Sequence, residues 1–318
     1  MPFHQLESAI ADLLLTVRCL GQASAIALRV TMEKQQFWLG CAVWAYRDWV
    51  GSFYPAGTGS DAFLRRYGER LTAVEGNTTF YSIPSTETVQ RWRQETPEDF
   101  RFCLKLPRSL SHAGPLAAQI EVAAAFRRQL EPLGDRLGPA FLQLPPRYGP
   151  SAIADLAQFL AAWPVDQWPL AVEPRHPDWF QPQSRQSLNR LLQRYGCGRV
   201  LLDTRSLYDG TDDPQAQSDR RKPKLPLHPD VIGDYAFVRF ISHPNRDHNL
   251  SYLAEWQEYL RQWLGQGRSV YFFVHCPQEI YSPATAITFQ EQLERAGIAI
   301  PPLPTPPAPA QQQLSLFS

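Results

Sequence analysis

The chain lacks a C-x-x-C pair, an H-x-H or H-E-x-x-H spacing, any net charge and any long uninterrupted apolar run. Each absence removes a class of protein. The five cysteines, Cys19, Cys41, Cys103, Cys197 and Cys276, are odd in number and widely spaced. That excludes a disulfide framework, a zinc ribbon and a thioredoxin-like redox pair, and it fits a reducing, cytoplasmic setting. The 31 basic residues balance 31 acidic ones, so no global field draws the molecule onto nucleic acid or an anionic membrane, and any such contact must be local. Residues 10–30 are apolar in character, but Asp12, Arg18 and Arg29 interrupt them. The stretch reads neither as a membrane span nor as a signal peptide. Met32 precedes the first strand-like run at Phe37, which leaves two readings of the extension 1–36: an upstream start, or an amphipathic helix lying on the domain.

What is present is enough apolar material for a large core, 44% hydrophobic and 12% aromatic against 19% charged. A length of 318 residues fits two average domains or one α/β barrel. From residue 37 onward, short β-branched or aromatic runs alternate with longer stretches of helical period, the pattern of βα units around a parallel sheet. The predicted strands are Phe37–Cys41, Leu71–Glu75, Phe100–Leu106, Ala140–Leu144, Leu170–Glu173, Arg199–Asp203, Tyr235–Phe240 and Ser269–Val274. Eight is the number a closed barrel requires. The expected fold is therefore a single TIM-like (β/α)8 barrel over residues 37–297.

Helical spacing of Ile153, Leu156, Ala157 and Leu160 behind a candidate Ser151 cap predicts one covering helix, and Leu253, Trp256, Leu260, Trp263 and Leu264 predict another. The last helix is predicted to start at a Ser282 cap followed by Pro283 and to end at Gly297. Residues 206–230 show no helical period and many breakers, so they predict a long loop over the barrel mouth, either a lid or plain disorder. The basic cluster Arg220, Arg221, Lys222 and Lys224 within it could meet phosphates.

Side chains just beyond the C-terminal ends of parallel strands converge on one mouth, where barrel chemistry occurs. There the sequence supplies Cys41, Trp44, Tyr46, Glu75, Asn77, Lys105, Gln143, Glu173, Arg175, His176, Asp203, Arg239 and His275. Three carboxylates beside Lys105, Arg175 and Arg239 exceed what a structural rim needs, because buried charge is costly unless paired. The predicted catalytic set is Glu75, Glu173, Asp203 and Lys105. The predicted ligand contacts are Trp44, Tyr46, Asn77, Tyr81, Gln143, Arg175, His176 and Arg239, around a polar or phosphorylated ligand.

The runs Gly40 to Pro55, Val74 to Pro84, Leu142 to Pro146 and Ala171 to Trp179 resemble the YecE-like family, domain of unknown function 72, and the resemblance extends over roughly residues 37–297. It implies a TIM-barrel fold, sometimes described as related to sugar isomerases, with no settled reaction. Two departures stand out. At the eighth strand the family's Y-x-Y-F-N-N is Y-F-F-V-H-C here, Tyr271 to Cys276, so Phe273, Val274 or their neighbours replace the amides. At the seventh, V-R-L-H-G is V-R-F-I-S, Val238 to Ser242, with His243 close by.

Several chemistries compete for this mouth. Glu75 and Glu173 could act as an acid and base pair in hydrolysis or isomerisation, or Glu173 could simply pair with Arg175 while Asn77 caps a turn. A divalent metal held by Glu75, Glu173, His176, Asp203 and His275 is the less favoured reading, and no cofactor is specified. The aromatics Trp44, Tyr46, Trp49, Phe53, Tyr54, Phe80 and Tyr81 could stack on sugars or bases, or pack beneath the loops.

After Gly297 the chain becomes a proline-rich linker, 298–312, that favours an extended conformation. Twelve such residues reach about 37 Å at roughly 3.1 Å each. Residues 313–318 follow, and Gln313, Leu314, Ser315, Leu316 and Phe317 resemble the bacterial sliding-clamp binding motif. The resemblance implies docking on the DNA polymerase III β sliding clamp, with the glutamine hydrogen-bonded and the apolar side chains in a pocket. Gln311, Leu314 and Phe317 also fit the archaeal and eukaryotic spacing, but Ser318 lacks its second aromatic. The function expected is a clamp-recruited barrel acting on DNA or a nucleotide-derived substrate in replication or repair. The alternatives are a sugar-type isomerase or hydrolase and a noncatalytic binding module.

Overall fold

The computed structural model describes residues 36–216, 218 and 221–306. The predicted extension 1–36 apart from Gln36, Arg220 of the basic cluster, and the peptide Gln313 to Phe317 lie outside the described residues.

Eight parallel strands form one sheet in the order β3-β2-β1-β8-β7-β6-β5-β4. They are β1 (Phe37–Cys41), β2 (Ala73–Gly76), β3 (Arg101–Leu104), β4 (Ala140–Gln143), β5 (Leu170–Glu173), β6 (Gly198–Asp203), β7 (Tyr235–Ile241) and β8 (Ser269–His275). The two ends meet through a narrow seam, with Leu106 N–H donating to Phe141 O and Gly138 N–H to Phe102 O, each at 3.0 Å. The result is a TIM-like α/β barrel. Its strands read as near-continuous apolar runs because both faces are covered.

The two faces separate by the period of two. Phe37, Leu39, Val74, Phe102, Leu104, Leu142, Val172 and Leu201 belong to the outer layer beneath the helices. Trp38, Ala73, Cys103, Phe141, Ala171, Val200, Phe237, Tyr271 and Phe273 form a separate cluster that fills the barrel, where Trp38 stacks on Tyr271 at 4.6 Å. Gly40 has no alternative on this inner face, since a Cβ there would stand 1.9 Å from the Ala73 carbonyl oxygen.

The covering helices follow the predicted apolar stripes. Leu253, Trp256, Leu260 and Trp263 are the buried residues of the helix Leu250–Gly265. Ser151 lies inside a 3-10 turn, Pro150–Ala152, and provides no cap for the helix Ile153–Ala162. Ser282 is the first residue of the last helix, Ser282–Arg295, rather than its cap, and its hydroxyl donates to Glu279 Oε2 at 2.7 Å. Gly297 does take the left-handed conformation, φ +67, that ends this helix. Beyond it Ile298 is buried, Ile300 and Leu303 pack on the core, and Pro301 O accepts a 2.9 Å hydrogen bond from Gln290. The proline-rich stretch thus begins against the barrel. Between β6 and β7 the described residues form no covering α-helix; a single turn, Arg205–Leu207, leads into the long loop.

Candidate functional site

The apolar filling of the barrel gives way to charge one pleat further along the strands. Two residues after Ala73, Cys103, Phe141, Ala171, Phe237 and Phe273 come Glu75, Lys105, Gln143, Glu173, Arg239 and His275. The period of two therefore stacks a polar layer directly on the apolar one, at the C-terminal ends where a parallel barrel opens. Above it lies a cavity of about 570 Å³ lined by residues that include Asn77, Phe80, Tyr81, Lys105, Gln143, Arg175, Arg239 and His275.

Arg239 is the hub. Its Nε and Nη2 donate to Glu75 Oε2 at 2.7 Å and Oε1 at 2.8 Å, and its Nη1 donates to Glu173 Oε2 at 2.5 Å. Arg175 Nε donates to the other oxygen of Glu173. Asn77 Nδ2 reaches Glu75 Oε1 at 2.7 Å and Ala42 O at 3.1 Å, and His275 Nε2 lies 2.8 Å from Glu75 Oε2. Asn77 thus belongs to the charged layer and makes no side-chain cap to its turn. Both carboxylates are fully buried, and every one of their oxygens is engaged.

These contacts decide protonation. Burial would raise the pKa of Glu173, but Arg175 and Arg239 more than cancel it and hold the group at about 2. Burial opposes ionisation of Glu75 as well, and the charge of Arg239, with the hydrogen bond to His275, holds it well below the usual carboxylate range. His275 is drawn down to about 4 by burial, with Glu75 opposing the shift, and so it is neutral at neutral pH. Two carboxylates and two guanidinium groups therefore sum to no charge beneath the cavity floor.

Lys105 is different. Its Nζ donates to the neutral Gln143 Oε1 at 2.8 Å and sits 3.9 Å from the centre of the Phe80 ring. Gln143 Oε1 also accepts from Arg175 Nη2 at 3.1 Å. Burial first, and then the charge of Arg239, bring the Lys105 pKa down to about 7. The loop after β6 brings half-buried Lys222 and exposed Arg221 to the same cavity, while Arg108 and half-buried Glu279 complete its charged lining. Burial lowers Lys222 to about 8 and raises Glu279 to about 7.

Of the predicted residues, Glu75, Asn77, Tyr81, Lys105, Gln143, Glu173, Arg175 and Arg239 are brought together here; Tyr81 is more than half exposed at the rim. Asp203 is not. It stands three residues after inward-facing Val200, so it has the opposite parity and points beneath the helix Leu250–Gly265. There it accepts hydrogen bonds from Trp256 Nε1 at 2.9 Å and from Arg205 Nε and Nη2, each at 3.0 Å. His176 caps the turn after β5, its Nδ1 accepting from Asp178 N–H at 3.2 Å. Trp44 packs edge-on to Trp92 and Phe102 in the outer core. Trp49, Phe53 and Tyr54 are likewise outer packing, leaving Phe80 and Tyr81 as the aromatics of the mouth.

Tyr46 lines a neighbouring, acidic cavity with Asp48, Asp212 and Asp213, where His243 Nε2 lies 3.2 Å from Asp212 Oδ2. Lys224 leaves the cluster for the face of Tyr208, at 5.5 Å. Among the described residues no group of three or more His, Cys, Asp or Glu converges as a metal-ligand set. Of the five residues considered for one, Glu75 meets His275, while His176 and Asp203 turn away. Nor is any helix of the described residues long and apolar enough to cross a membrane.

Sequence reasoning does not single out Arg108 or Glu279, and it reaches His275 only as a strand end and as a member of the less favoured metal set. The two-residue step from Phe273 was the available signal for His275. Glu279 lies past the eighth strand in an irregular turn, where no periodicity points.

The fold and the polar layer define a parallel eight-stranded α/β barrel whose mouth is built from interlocked ion pairs and a cationic wall. The chain belongs to the family described as protein of unknown function DUF72, which it matches over residues 38–313. It is 34% identical over 283 residues to the UPF0759 protein YecE of Escherichia coli K12, covering 88% of this chain and 99% of that one. The UPF0759 protein YunF of Bacillus subtilis 168 is 24% identical over 253 residues, covering 74% and 86%. Among solved structures, a DUF72 family protein of Enterococcus faecalis V583 superposes with a TM-score of 0.64 at 20% identity, covering 85% of this chain and 98% of its own. One of Thermotoga maritima MSB8 gives 0.60 at 24% identity, covering 81% and 99%. These structural likenesses speak to the fold.

Proposed function

We propose that this chain is a barrel recruited to the DNA sliding clamp through Gln313 to Phe317, and that its mouth takes a phosphate-bearing ligand derived from DNA or a nucleotide. The observation that carries the mouth reading is the commitment of Glu75 and Glu173. Each carboxylate oxygen already receives a donor from the protein, so the charge left to face a ligand is mainly that of Lys105, Arg108 and Lys222, Arg221 being paired with Asp213 at 2.8 Å. A cavity of about 570 Å³ lies in the range of small-molecule sites, and a cationic wall with buried Lys105 at its base favours phosphate. The ionised, guanidinium-bound state of both glutamates disfavours the carboxylate acid and base pair of a hydrolase.

The tail supports the clamp reading by its chemistry. Burying Leu314, Leu316 and Phe317 is worth about 1.5 to 3 kcal/mol each before ordering costs. A ring encircling DNA would also supply by avidity the affinity that a chain of no net charge lacks.

Calorimetric titration of the full chain with purified sliding clamp tests the tail. Phe317→Ala should abolish the binding heat, and equal binding by parent and variant would defeat the docking reading. For the mouth, a deoxynucleoside monophosphate should raise the melting temperature where the matching deoxynucleoside does not. Equal shifts from the two, or none from either, would remove the phosphate reading.

A further inference from the structure

The chain contains four lysines, Lys34, Lys105, Lys222 and Lys224, against twenty-seven arginines. Wherever the described barrel buries a paired cation, at Arg136, Arg199 or Arg239, and at the nearly buried Arg175, it uses arginine, which never gives up its proton under working conditions. At the centre of the mouth it uses lysine instead. Lys105 is buried, projects from the end of β3 into the cavity, and among the described residues pairs with no carboxylate. The nearest candidate, Glu173, has one oxygen on Arg175 and the other on Arg239. Gln143 offers the ammonium an oxygen without a charge. The Phe80 face removes water from Nζ, and the cation–π attraction of about 0.5 to 2 kcal/mol does not replace an ion pair. An amine kept neutral for part of its time, on a cavity wall and beside guanidinium groups, is the arrangement of an activated nucleophile.

We propose that Lys105 forms a Schiff base with the carbonyl of a small phosphorylated aldehyde or ketone bound in the barrel mouth. The inference rests on the phosphate reading of that cavity for the class of substrate, though not for the covalent step. In that step the Nζ lone pair attacks the carbonyl carbon, a C–N bond forms and the π electrons of the C=O bond pass to oxygen. The amine then releases a proton, and the oxygen departs as water carrying that proton and one more, leaving a protonated imine. Nothing is oxidised or reduced. Glu279 lines the same cavity, and burial raises its carboxyl to about 7, so it holds a proton to donate near neutrality. The lowering of the Lys105 pKa to about 7 agrees with the geometry.

The test uses the full chain and pyridoxal 5′-phosphate as a phosphorylated aldehyde probe, with borohydride to reduce any imine to a stable amine, followed by peptide mapping. One reduced adduct per chain is expected at Lys105, formed at least tenfold faster than at Lys34, Lys222 or Lys224. Lys105→Arg, which keeps the positive charge, should lose that adduct, and Lys224→Arg should keep it. Labelling spread evenly over the lysines, or concentrated on one of the other three, would overturn the proposal. Mapping of the parent chain decides the matter even if the arginine variant fails to fold. Pyridoxal without its phosphate separates the two readings. Equal labelling of Lys105 by both probes would keep the Schiff base and discard the phosphate site, whereas a melting shift with inorganic phosphate and no imine at Lys105 would do the reverse.

Discussion

Arg239 and Glu75, 164 residues apart in the chain, meet through two parallel hydrogen bonds of 2.7 and 2.8 Å inside the barrel. Since the same guanidinium also reaches Glu173, one side chain holds two buried carboxylates in their ionised form.

Arg239→Met should therefore cost about 3 to 5 kcal/mol of stability, because it leaves two buried carboxylates short of their shared partner. Arg239→Lys should recover little of it, since an ammonium cannot reproduce the bidentate fork. Urea unfolding of both variants measures this, and a loss under about 1 kcal/mol for the methionine variant would mean the network relaxes around the gap.

Lys105 carries the opposite expectation. Its charge is buried without an ion pair, so Lys105→Met should stabilise the fold by about 1 kcal/mol at neutral pH while reducing binding of the nucleotide. A lower urea midpoint in that variant would show the ammonium to be structural.

Asp203→Asn should cost about 2 kcal/mol by weakening its charged hydrogen bonds to Arg205 and Trp256. The nucleotide-induced melting shift should be unchanged, because the side chain lies on the outer side of β6. A lost shift would contradict that placement.

Acid should destabilise the chain in two steps. His275 binds its proton at about 4 when folded and near 6.5 when unfolded. The unfolded chain thus takes up the proton first, and stability falls as pH drops between those values. The pKa of Glu173 is depressed to about 2 from an ordinary value near 4.3, so its contribution is full above the latter and is lost as pH falls toward the former. Urea midpoints measured from neutral to acidic pH should trace both limbs. His275→Gln should flatten the upper one, and an unchanged slope there would assign it to other groups.

Much of this was legible in the chain. Both ends of β5, Leu170 and Glu173, follow from one apolar run between breakers, and the left-handed turn at Gly297 follows from its place after a helical stripe. Even the inner layer could be read by counting in twos, from Ala73 to Glu75 and from Cys103 to Lys105. The same count, applied from Val200, would have turned Asp203 outward. The aromatic run after β1 misled because composition does not distinguish a stacking surface from packing, and Trp49 lies wholly buried against Phe53 and Tyr54.

By itself the sequence determined the eight strands and, through their period of two, the face that most strand residues take, because periodicity is a local property of a chain. The tertiary structure decided which charge meets which. Arg239 could have served Asp203 or Glu279 as readily as Glu75 and Glu173 on sequence grounds. Closure of the barrel brought those two glutamates within reach of its guanidinium, and their removal from water made the pairing obligatory. Among the described residues, that pairing left Lys105 without a carboxylate in the mouth.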